Sequence, residues 1–459
     1  MPPRFASRLA FRPRVVVPAV LGVALLASAG TGALASGWSA PQLLSGGGNG
    51  FGASDAIDSK GNALAVWFEN LGSQGSAIEF ADHARRGPWK SADLVPPSSG
   101  FVASDPIVHE TNTGAATAVW STGADAWSAD RPAGGTWTTP QLVLSGIAGL
   151  PAFTMNSNGS AVLAAVSGAC AVRDTGNCTI MTATRPAGGA WGQPVSAITT
   201  SNRLQFDSVA IGNGGDAVAT WETFDASCNQ ERCVTSNFVL FAARQPAGTT
   251  NWQVGQAALA GPDPVSHVGA VSLDAKNRAA VFINSQTNGI TVVTQASGGQ
   301  TFSAPTTVTT DTDIAFENVQ SDPAGDTTLV GLQGSAQNVV AVSGNFDSNK
   351  WNSVATLSTA TTDESQSGFP VAFAVGAKGE SVAAWAQGAT AQATADDVVV
   401  SVSPSPGAPW SAPVTIAGNV EFGLPQSVSV SSDGRAVLTY FDLSGTDADE
   451  IRGTVYNPR

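Results

Sequence analysis

A tryptophan-centred segment recurs along the chain at near-regular intervals, and this period limits the fold more than any other feature. Each copy has an aromatic residue, then small or polar residues that often include Pro, then an apolar run. Successive copies begin 48 to 61 residues apart. Such a period indicates one supersecondary unit repeated many times, with each unit packing on its neighbours. The eight anchors are Trp38, Trp89, Trp137, Trp191, Trp252, Phe302, Trp351 and Trp410.

A second signature lies between successive anchors and predicts β-hairpins. An alternating apolar stretch is followed by a turn rich in Gly, Asn and Asp and then by a strongly apolar strand, as in residues 56–68 and 427–441. Alternation with period two around such turns is typical of antiparallel strands. A third strand often ends in an Arg-Pro-Ala-Gly-Gly turn, and the Trp segment supplies a fourth strand. No segment keeps the 3.6-residue period of a helix, so the chain is predicted to be all-β.

Each unit therefore has four short antiparallel strands, here called a to d in chain order, and there are eight units. Units of this kind are the blades of a β-propeller. The first d strand, at 37–44, precedes any a strand, whereas the last unit ends at its c strand, 451–456. We therefore predict an eight-bladed propeller whose N-terminal strand completes the last blade. A seven-bladed ring is the alternative if one unit forms no blade.

The N-terminal segment, residues 1–35, is predicted to be a secretory signal peptide. Four arginines precede an apolar run at 15–29, and Ala33-Leu34-Ala35 forms a small-residue cleavage site. The run is short for a membrane span, and no second apolar run follows. Residues 36–459 are expected to form a single β-propeller domain. We expect a secreted or cell-envelope monomer without a membrane span.

Charge argues against one class of partner. The full chain has 21 basic and 35 acidic residues, a net charge of −14. Removing the leader's four arginines leaves 17 basic residues against 35 acidic ones, a net charge of −18. A field of this sign repels phosphate backbones, so nucleic acid is excluded as an expected partner.

The chain has four cysteines in two close pairs, Cys170 with Cys178 and Cys228 with Cys233. An exported protein can oxidise such pairs, so we predict two local disulfides, each in the loop between strands b and c of its unit. A zinc site made of all four cysteines is the alternative. Short loops gain little stability from closure, so the disulfides are expected to shape loops.

The Trp-x-x-Pro strand, the Asp/Asn-Gly turn and the Arg-Pro-Ala-Gly-Gly turn together resemble the secreted bacterial β-propeller repeat proteins of the broad sialidase-like, or neuraminidase-repeat, group. The resemblance covers residues 37–459. It implies the fold, because many proteins of the group have no assigned activity. The group's Asp-box, Ser-x-Asp-x-Gly-x-Thr-Trp, is not matched. A sialidase would also need an arginine cluster and a Tyr–Glu nucleophile pair, and the chain has only Tyr440 and Tyr456.

The repeat accounts for eleven of the twelve tryptophans, because Trp67, Trp120, Trp221 and Trp385 end the b strands at equivalent positions. Periodic aromatics are expected to pack between blades rather than to bind a ligand. Tyr440 occupies the same position and is predicted to be a core residue. Only Trp127 is off the pattern. It is either an exposed binding aromatic or a packed variant of the position that Met181 fills.

Carboxylates suggest where a ligand could bind. Asp55, Asp105, Asp207 and Glu317 fall at or beside the predicted first residue of an a strand, so they are expected to ring one mouth of the channel. Oxygen ligands of this kind suit a hard cation or a basic ligand. The alternative is that they satisfy backbone donors at loop ends. The run Asp442, Asp447, Asp449 and Glu450 is either a solvated loop or a calcium site. No other metal and no cofactor is predicted.

The sequence favours a binding protein over an enzyme and leaves the question of catalysis open. Length variation is concentrated in the d–a and b–c loops, and variable loops on a rigid scaffold often carry function. We expect a non-enzymatic propeller that uses this face and the acidic channel mouth to bind a carbohydrate, a cell-envelope component or a protein. A glycan-processing hydrolase is the alternative, either sialidase-like or a two-carboxylate glycosidase that uses Asp207. A purely structural envelope protein is the third hypothesis.

Overall fold

A computed structural model describes residues 37–45, 49–71, 76–90, 93–95, 106–168, 170, 176–228, 233–255, 259–263, 268–285, 287–334, 337–358, 371–388, 396–420, 424–443 and 449–458. These residues form β-strands and turns. Within them no helix is long and apolar enough to cross a membrane. The predicted signal peptide lies outside the described residues.

Eight antiparallel sheets, each with the strand order a-b-c-d, form the eight blades of a propeller. The prediction of eight blades is confirmed, and the seven-bladed alternative is wrong. Blade 1 contains Asn49–Ile57, Ala63–Asn70, Ser76–His83 and Asp93–Val95, and blade 2 contains Ile107–Glu110, Ala116–Thr122, Asp125–Arg131 and Gln141–Ser145. Blade 3 contains Ala152–Met155, Ala161–Gly168, Cys178–Arg185 and Val195–Thr200. Blade 4 contains Arg203–Ile211, Ala217–Cys228, Cys233–Gln245 and Gln253–Val254 with Ala260–Asp263.

Blade 5 contains Val268–Leu273, Ala279–Ser285, Gly289–Gln295 and Thr306–Thr309. Blade 6 contains Ile314–Ser321, Asp326–Gln333, Asn338–Asn345 and Lys350–Trp351 with Ala355–Thr356. Blade 7 contains Ala372–Val375, Ser381–Gly388, Asp396–Ser403 and Val414–Val420, and blade 8 contains Leu424–Val430, Ala436–Asp442, Glu450–Tyr456 and Gln42–Leu43. In blades 4 and 6 the d strand is split, and both pieces pair with strand c.

The a–b turns are identical in design, which is why the sequence signature repeats. In each blade the amide of the first turn residue donates to the carbonyl of the fifth, as Asp58 does to Asn62 at 2.9 Å. The fourth residue has a positive φ, a conformation that glycine adopts without a steric penalty. This residue is glycine in seven blades and Asn277, with φ 57°, in the other.

Buried aromatic residues hold neighbouring blades together, as the repeat predicts. Trp67, Trp120, Trp221 and Trp385 on strand b are at most 2% exposed, and Tyr440 at the same position is 1% exposed. The d-strand tryptophans reach back to the preceding blade. For example, the Trp191 indole donates to Ser128 at 2.9 Å, and the Trp252 indole donates to Thr182 at 2.9 Å.

Arginines at the ends of two c strands tie blades 2 and 3 to the blade before them. Arg131 binds both carboxylate oxygens of Asp82 in blade 1, at 2.7 and 2.8 Å. Arg185 pairs with one carboxylate oxygen of Asp130 in blade 2 and donates to the hydroxyl of Thr117 in the same blade at 2.6 Å. Each guanidinium also lies against the d-strand tryptophan of its own blade. The arginine of the Arg-Pro-Ala-Gly-Gly turn is therefore a clamp between blades.

The N-terminal strand closes the ring as predicted. Gln42 and Leu43 pair with Gly453 and Arg452 on strand c of blade 8. The Ser39 and Leu44 amides donate to the carbonyls of residues 455 and 451, each at 2.8 Å. Trp38 packs against Tyr456 with ring centroids 5.2 Å apart. Blade 8 is thus built from both ends of the described chain.

Both predicted disulfides form, Cys170–Cys178 and Cys228–Cys233, so the zinc alternative is wrong. Cys178 begins strand c of blade 3. The second pair joins the last residue of strand b to the first residue of strand c in blade 4. Each disulfide therefore closes a b–c connection, as the sequence predicts.

Polar side chains on the inner strands form a second link between blades, here called the inner belt. Four residues before the first residue of each a–b turn, blades 1, 4, 6 and 8 carry Ser54, Ser208, Asn318 and Ser427. Each serine accepts a hydrogen bond from a backbone amide of the next blade: Val108 to Ser54 at 3.1 Å, Val271 to Ser208 at 3.4 Å and Asp55 to Ser427 at 3.1 Å. Asn318 donates to the Val371 carbonyl at 2.7 Å.

Replacing Ser54 by Ala tests the inner belt. The change leaves the Val108 amide of blade 2 without its side-chain partner, so the free energy of unfolding should fall by about 1 kcal/mol. Urea unfolding measures this loss. Ser201→Ala, at an exposed serine in the turn before blade 4, is the matched control and should stay within about 0.5 kcal/mol of the parent. Equal midpoints for the two variants would contradict the role of the belt.

Candidate functional site

The structure places Asp55 inside the seam between blades 8 and 1. Asp55 is 3% exposed, and its Oδ2 accepts the Thr439 amide at 3.1 Å and the Thr439 hydroxyl at 3.0 Å. The other oxygen, Oδ1, is buried without a hydrogen-bond partner. Burial raises the pKa of Asp55 to about 7, and the donors around it offset only part of the rise.

The predicted position of the acidic residues within their strands is wrong. Asp55 is the seventh residue of Asn49–Ile57, Asp207 the fifth of Arg203–Ile211, and Glu317 the fourth of Ile314–Ser321. The reason is a register shift in the a–b pairing of each of these blades. Such β-bulges let an inner strand continue past the irregularity, so its first residue lies earlier than alternation predicts.

Asp207 lies at the bulge of blade 4, opposite no single residue of strand b. Its Oδ2 is buried without a partner, and burial followed by the charge of Glu222 raises its pKa well above the usual value. Neither of the two cavities described below is lined by Asp207. Asp105 and the side chain of Glu317 lie outside the described residues, so the acidic ring stays a prediction.

Trp127 is half-buried on strand c of blade 2, where it packs with the core cluster shared with blade 1. Its indole donates to Thr122 at 2.9 Å. In the last blade, Asp442 and Glu450 both pair with Arg452, and Asp447 lies outside the described residues. Within the described part of the chain, no three His, Cys, Asp or Glu side chains are grouped to hold a metal ion.

A groove of about 850 Å³ lies between blades 1 and 2 on the face of the a–b and c–d turns. The expectation from loop variation was the opposite face. Many of the d–a and b–c loops lie outside the described residues, so that expectation is untested. The two blades contribute Asp58, Lys60, Asp82, His83 and Lys90 from blade 1, and Glu110 and Arg131 from blade 2.

Most charged groups of the groove are fixed by the fold. Asp58 is 3% exposed and accepts the amides of Lys60 and Asn62 at 2.9 and 2.8 Å. Arg131 holds Asp82, donates to the Gly135 carbonyl at 3.1 Å and lies over the Phe80 ring, 5.3 Å from its centroid. The groove therefore has a rigid frame that also clamps the two blades.

Glu110 differs from these groups because it has a free hydrogen-bonding atom. It ends strand a of blade 2, is partly buried, and its Oε2 has no partner. Burial, followed by the charge of Asp58, raises the pKa of Glu110 to about 8, against the opposing effect of Arg131. At neutral pH the carboxyl is therefore largely protonated and able to donate a hydrogen bond.

His83 is the second group of the groove with an unpartnered atom. It is 7% exposed, lies 5.2 Å from the Trp89 ring and has a buried Nδ1 without a partner. Burial lowers the pKa of His83. His83 lies at the position that Arg131 and Arg185 occupy in the next two blades, so the seam between blades 8 and 1 has no clamp at this position.

The central channel holds a second cavity of about 480 Å³, lined by the inner strands of blades 1, 2, 6, 7 and 8. Glu110 lines both this cavity and the groove. His109, which precedes it, lies 5.2 Å from the Phe153 ring of blade 3. The end of strand a of blade 2 is therefore the place where the groove and the channel meet.

The sequence contained a signal for Glu110 that motif searching misses. The residue before the a–b turn is apolar in six blades, namely Ile57, Met155, Ile211, Leu273, Val375 and Val430. Blade 6 has Ser321 there, and blade 2 has Glu110. A carboxylate at a position that is otherwise apolar departs from the repeat, and aligning the eight turns exposes it.

No protein-family model matches the chain, and a search of curated proteins finds no match. Three similar solved structures are the BP39L lectin from Burkholderia pseudomallei (TM-score 0.48, 13% identity, 81% of this chain and 100% of that chain), the polysaccharide lyase Uly1 (0.48, 9%, 92% and 99%), and a leech intramolecular trans-sialidase (0.42, 8%, 92% and 93%). With TM-scores below 0.5, these similarities assign no activity to the chain.

Replacing Asp55 by Asn tests the buried carboxyl. Its folded-state pKa of about 7 lies above the ordinary 3.8. The stability from this group is therefore fully present below pH 3.8 and is lost as the pH rises through about 7. The free energy of unfolding in urea should fall from pH 4 to 8 more for the parent than for Asp55→Asn, by at most roughly 4 kcal/mol.

Asp313→Asn is the control, because Asp313 is an exposed carboxylate in the turn before blade 6. This variant should keep the pH profile of the parent. Parallel profiles for the parent and Asp55→Asn would show that the carboxyl is ionised in the seam, contrary to its burial.

Proposed function

We propose that the protein is an exported, non-enzymatic propeller that binds a polar small ligand, such as a carbohydrate, in the groove between blades 1 and 2. The groove itself supports this proposal. Its volume of about 850 Å³ falls in the range of small-molecule sites, in which a few convergent polar groups lie on a preformed scaffold. The two disulfides are compatible with an oxidising, extracellular location.

Two features favour binding over catalysis at this site. Asp58 already accepts hydrogen bonds from its turn, and Asp82 already accepts them from Arg131. Glu110 is the one carboxyl of the groove with an unpartnered oxygen among the described residues. A glycosidase needs two cooperating carboxyl groups, whereas a binding site needs only donors and acceptors held in place.

A tryptophan introduced at the groove tests the proposal. Ala133 is exposed in the c–d turn of blade 2 and lines the groove, so Ala133→Trp should fill part of it. Ligands are first identified on a glycan array and their affinity is then measured by calorimetry. The variant should bind at least about tenfold more weakly, since it displaces ligand from a preformed cavity.

Ala187→Trp is the matched control, because Ala187 is the exposed residue at the same place in the Arg-Pro-Ala-Gly-Gly turn of blade 3. It should bind as the parent does. Equal losses in both variants would place the site elsewhere. Hydrolysis of a glycoside panel, abolished by Asp207→Asn, would instead support the enzymatic alternative.

A further inference from the structure

The charge pattern of the groove points to the chemistry of its ligand. The chain has only five lysines, and two of them, Lys60 and Lys90, line this groove. Both are exposed. The ion pairs found among the described residues use arginines, so neither lysine is part of one. In a chain with a net charge of −14, two free ammonium groups at one groove are a local reversal of sign.

The carboxyl groups nearby do not cancel this charge. Asp82 forms a bidentate ion pair with Arg131, which balances its charge. Asp58 is buried and accepts hydrogen bonds from the backbone of its own turn. Glu110 is mostly protonated at neutral pH, so it adds little negative charge to the groove that Lys60, Lys90 and Arg131 line. The groove therefore favours a negatively charged group near its open rim.

We propose that the groove binds a hydroxylated anion, such as an acidic oligosaccharide, with its negative group held by Lys60 and Lys90 and a hydroxyl oxygen held by Glu110. This inference rests on the proposed function and specifies its ligand. Ammonium groups bind carboxylate and sulfate through charge-assisted hydrogen bonds. Glu110 lines the same groove and has a buried oxygen without a hydrogen-bond partner, which a hydroxyl of the ligand can satisfy.

The same geometry makes binding depend on pH. The charged groups around Glu110 are Asp58, Asp82 and His83 of blade 1, Arg131 of its own blade, and Lys60 and Lys90 at the rim. The pKa of Glu110, at about 8, lies within reach of ordinary buffers, whereas burial lowers the pKa of His83 below 6.5. Between pH 7 and 9 Glu110 gains a negative charge that repels an anionic ligand.

The experiment compares one saccharide in charged and neutral forms. Oligogalacturonate, its methyl ester and a sulfated galactan are titrated into the full mature protein by calorimetry at low and moderate salt. The acidic forms should bind at least about tenfold more tightly than the ester, and their affinity should fall with salt. The double variant Lys60→Gln/Lys90→Gln should bind the acidic saccharides about tenfold more weakly than the parent.

Lys276→Gln is the matched control, because Lys276 is the third residue of the a–b turn in blade 5, as Lys60 is in blade 1. It should leave the affinity unchanged. Glu110→Gln stays uncharged, so its affinity should be constant between pH 7 and 9 while that of the parent falls several-fold. The Glu110→Gln variant also keeps the size of the side chain.

The outcomes separate the two proposals. If the ester and the free acid bind with equal affinity, and Ala133→Trp weakens both, the proposal of an anionic ligand is wrong. The groove would then still be the binding site. Binding of the acidic forms that survives in the double lysine variant would also overturn the proposal of an anionic ligand. Absence of binding to every saccharide would overturn both.

Discussion

The whole ring depends on the pairing of the first described strand with the last. Blade 8 has three strands from the C-terminal part of the chain, and its outer edge would otherwise present unpaired amides and carbonyls. Residues 38–45 cover that edge. The Ser39 hydroxyl accepts the Val455 amide at 3.1 Å, and the Ser45 hydroxyl accepts the Ile451 amide at 3.0 Å. This pairing completes the fourth strand of blade 8 and links that blade to blade 1 through the chain.

Different polar interactions hold the seams together, and this difference determines which polar groups line the groove. At the seams between blades 1 and 2 and between blades 2 and 3, an arginine reaches back to an aspartate. At the seam between blades 8 and 1 the arginine is replaced by His83, and buried Asp55 with Thr439 forms the link. In the seam between blades 1 and 2, Arg131 already pairs with Asp82, which leaves Glu110, Lys60 and Lys90 as the groups of the groove proposed to contact a ligand.

The repeat predicted nearly all of the fold, because blade formation is local. The turn glycines, the alternating strands and the buried b-strand tryptophans follow from neighbouring residues in sequence. Ring closure was also predictable, since one end of the chain supplies the strand that the other end lacks. The bulges in blades 1, 4 and 6 were not predicted, because alternation alone does not show where an extra residue interrupts the pairing. They displaced Asp55 and Asp207 from their expected places.

The site was harder to predict because it lies between blades. The partner of Arg131 is Asp82, 49 residues earlier, and nothing in either segment alone specifies the contact. The role proposed for Lys60 depends on the blade 2 residues that line the same groove, and Lys276, at the same turn position, does not line it. A departure from the repeat, such as Glu110, is therefore the best sequence signal for function in a ring of similar units.

Amide hydrogen exchange across the closing strand tests the ring most directly. If the N-terminal strand completes blade 8, the amides of Ser39, Leu44, Ile451 and Val455, which donate hydrogen bonds across this pairing, should be protected together with those of the central b strands. The amides of Ile451 and Val455, which remain when residues 36–45 are removed, should both lose this protection in the truncated protein. Rapid exchange of these four amides in the intact protein, beside protected b strands, would contradict the closed eight-bladed ring.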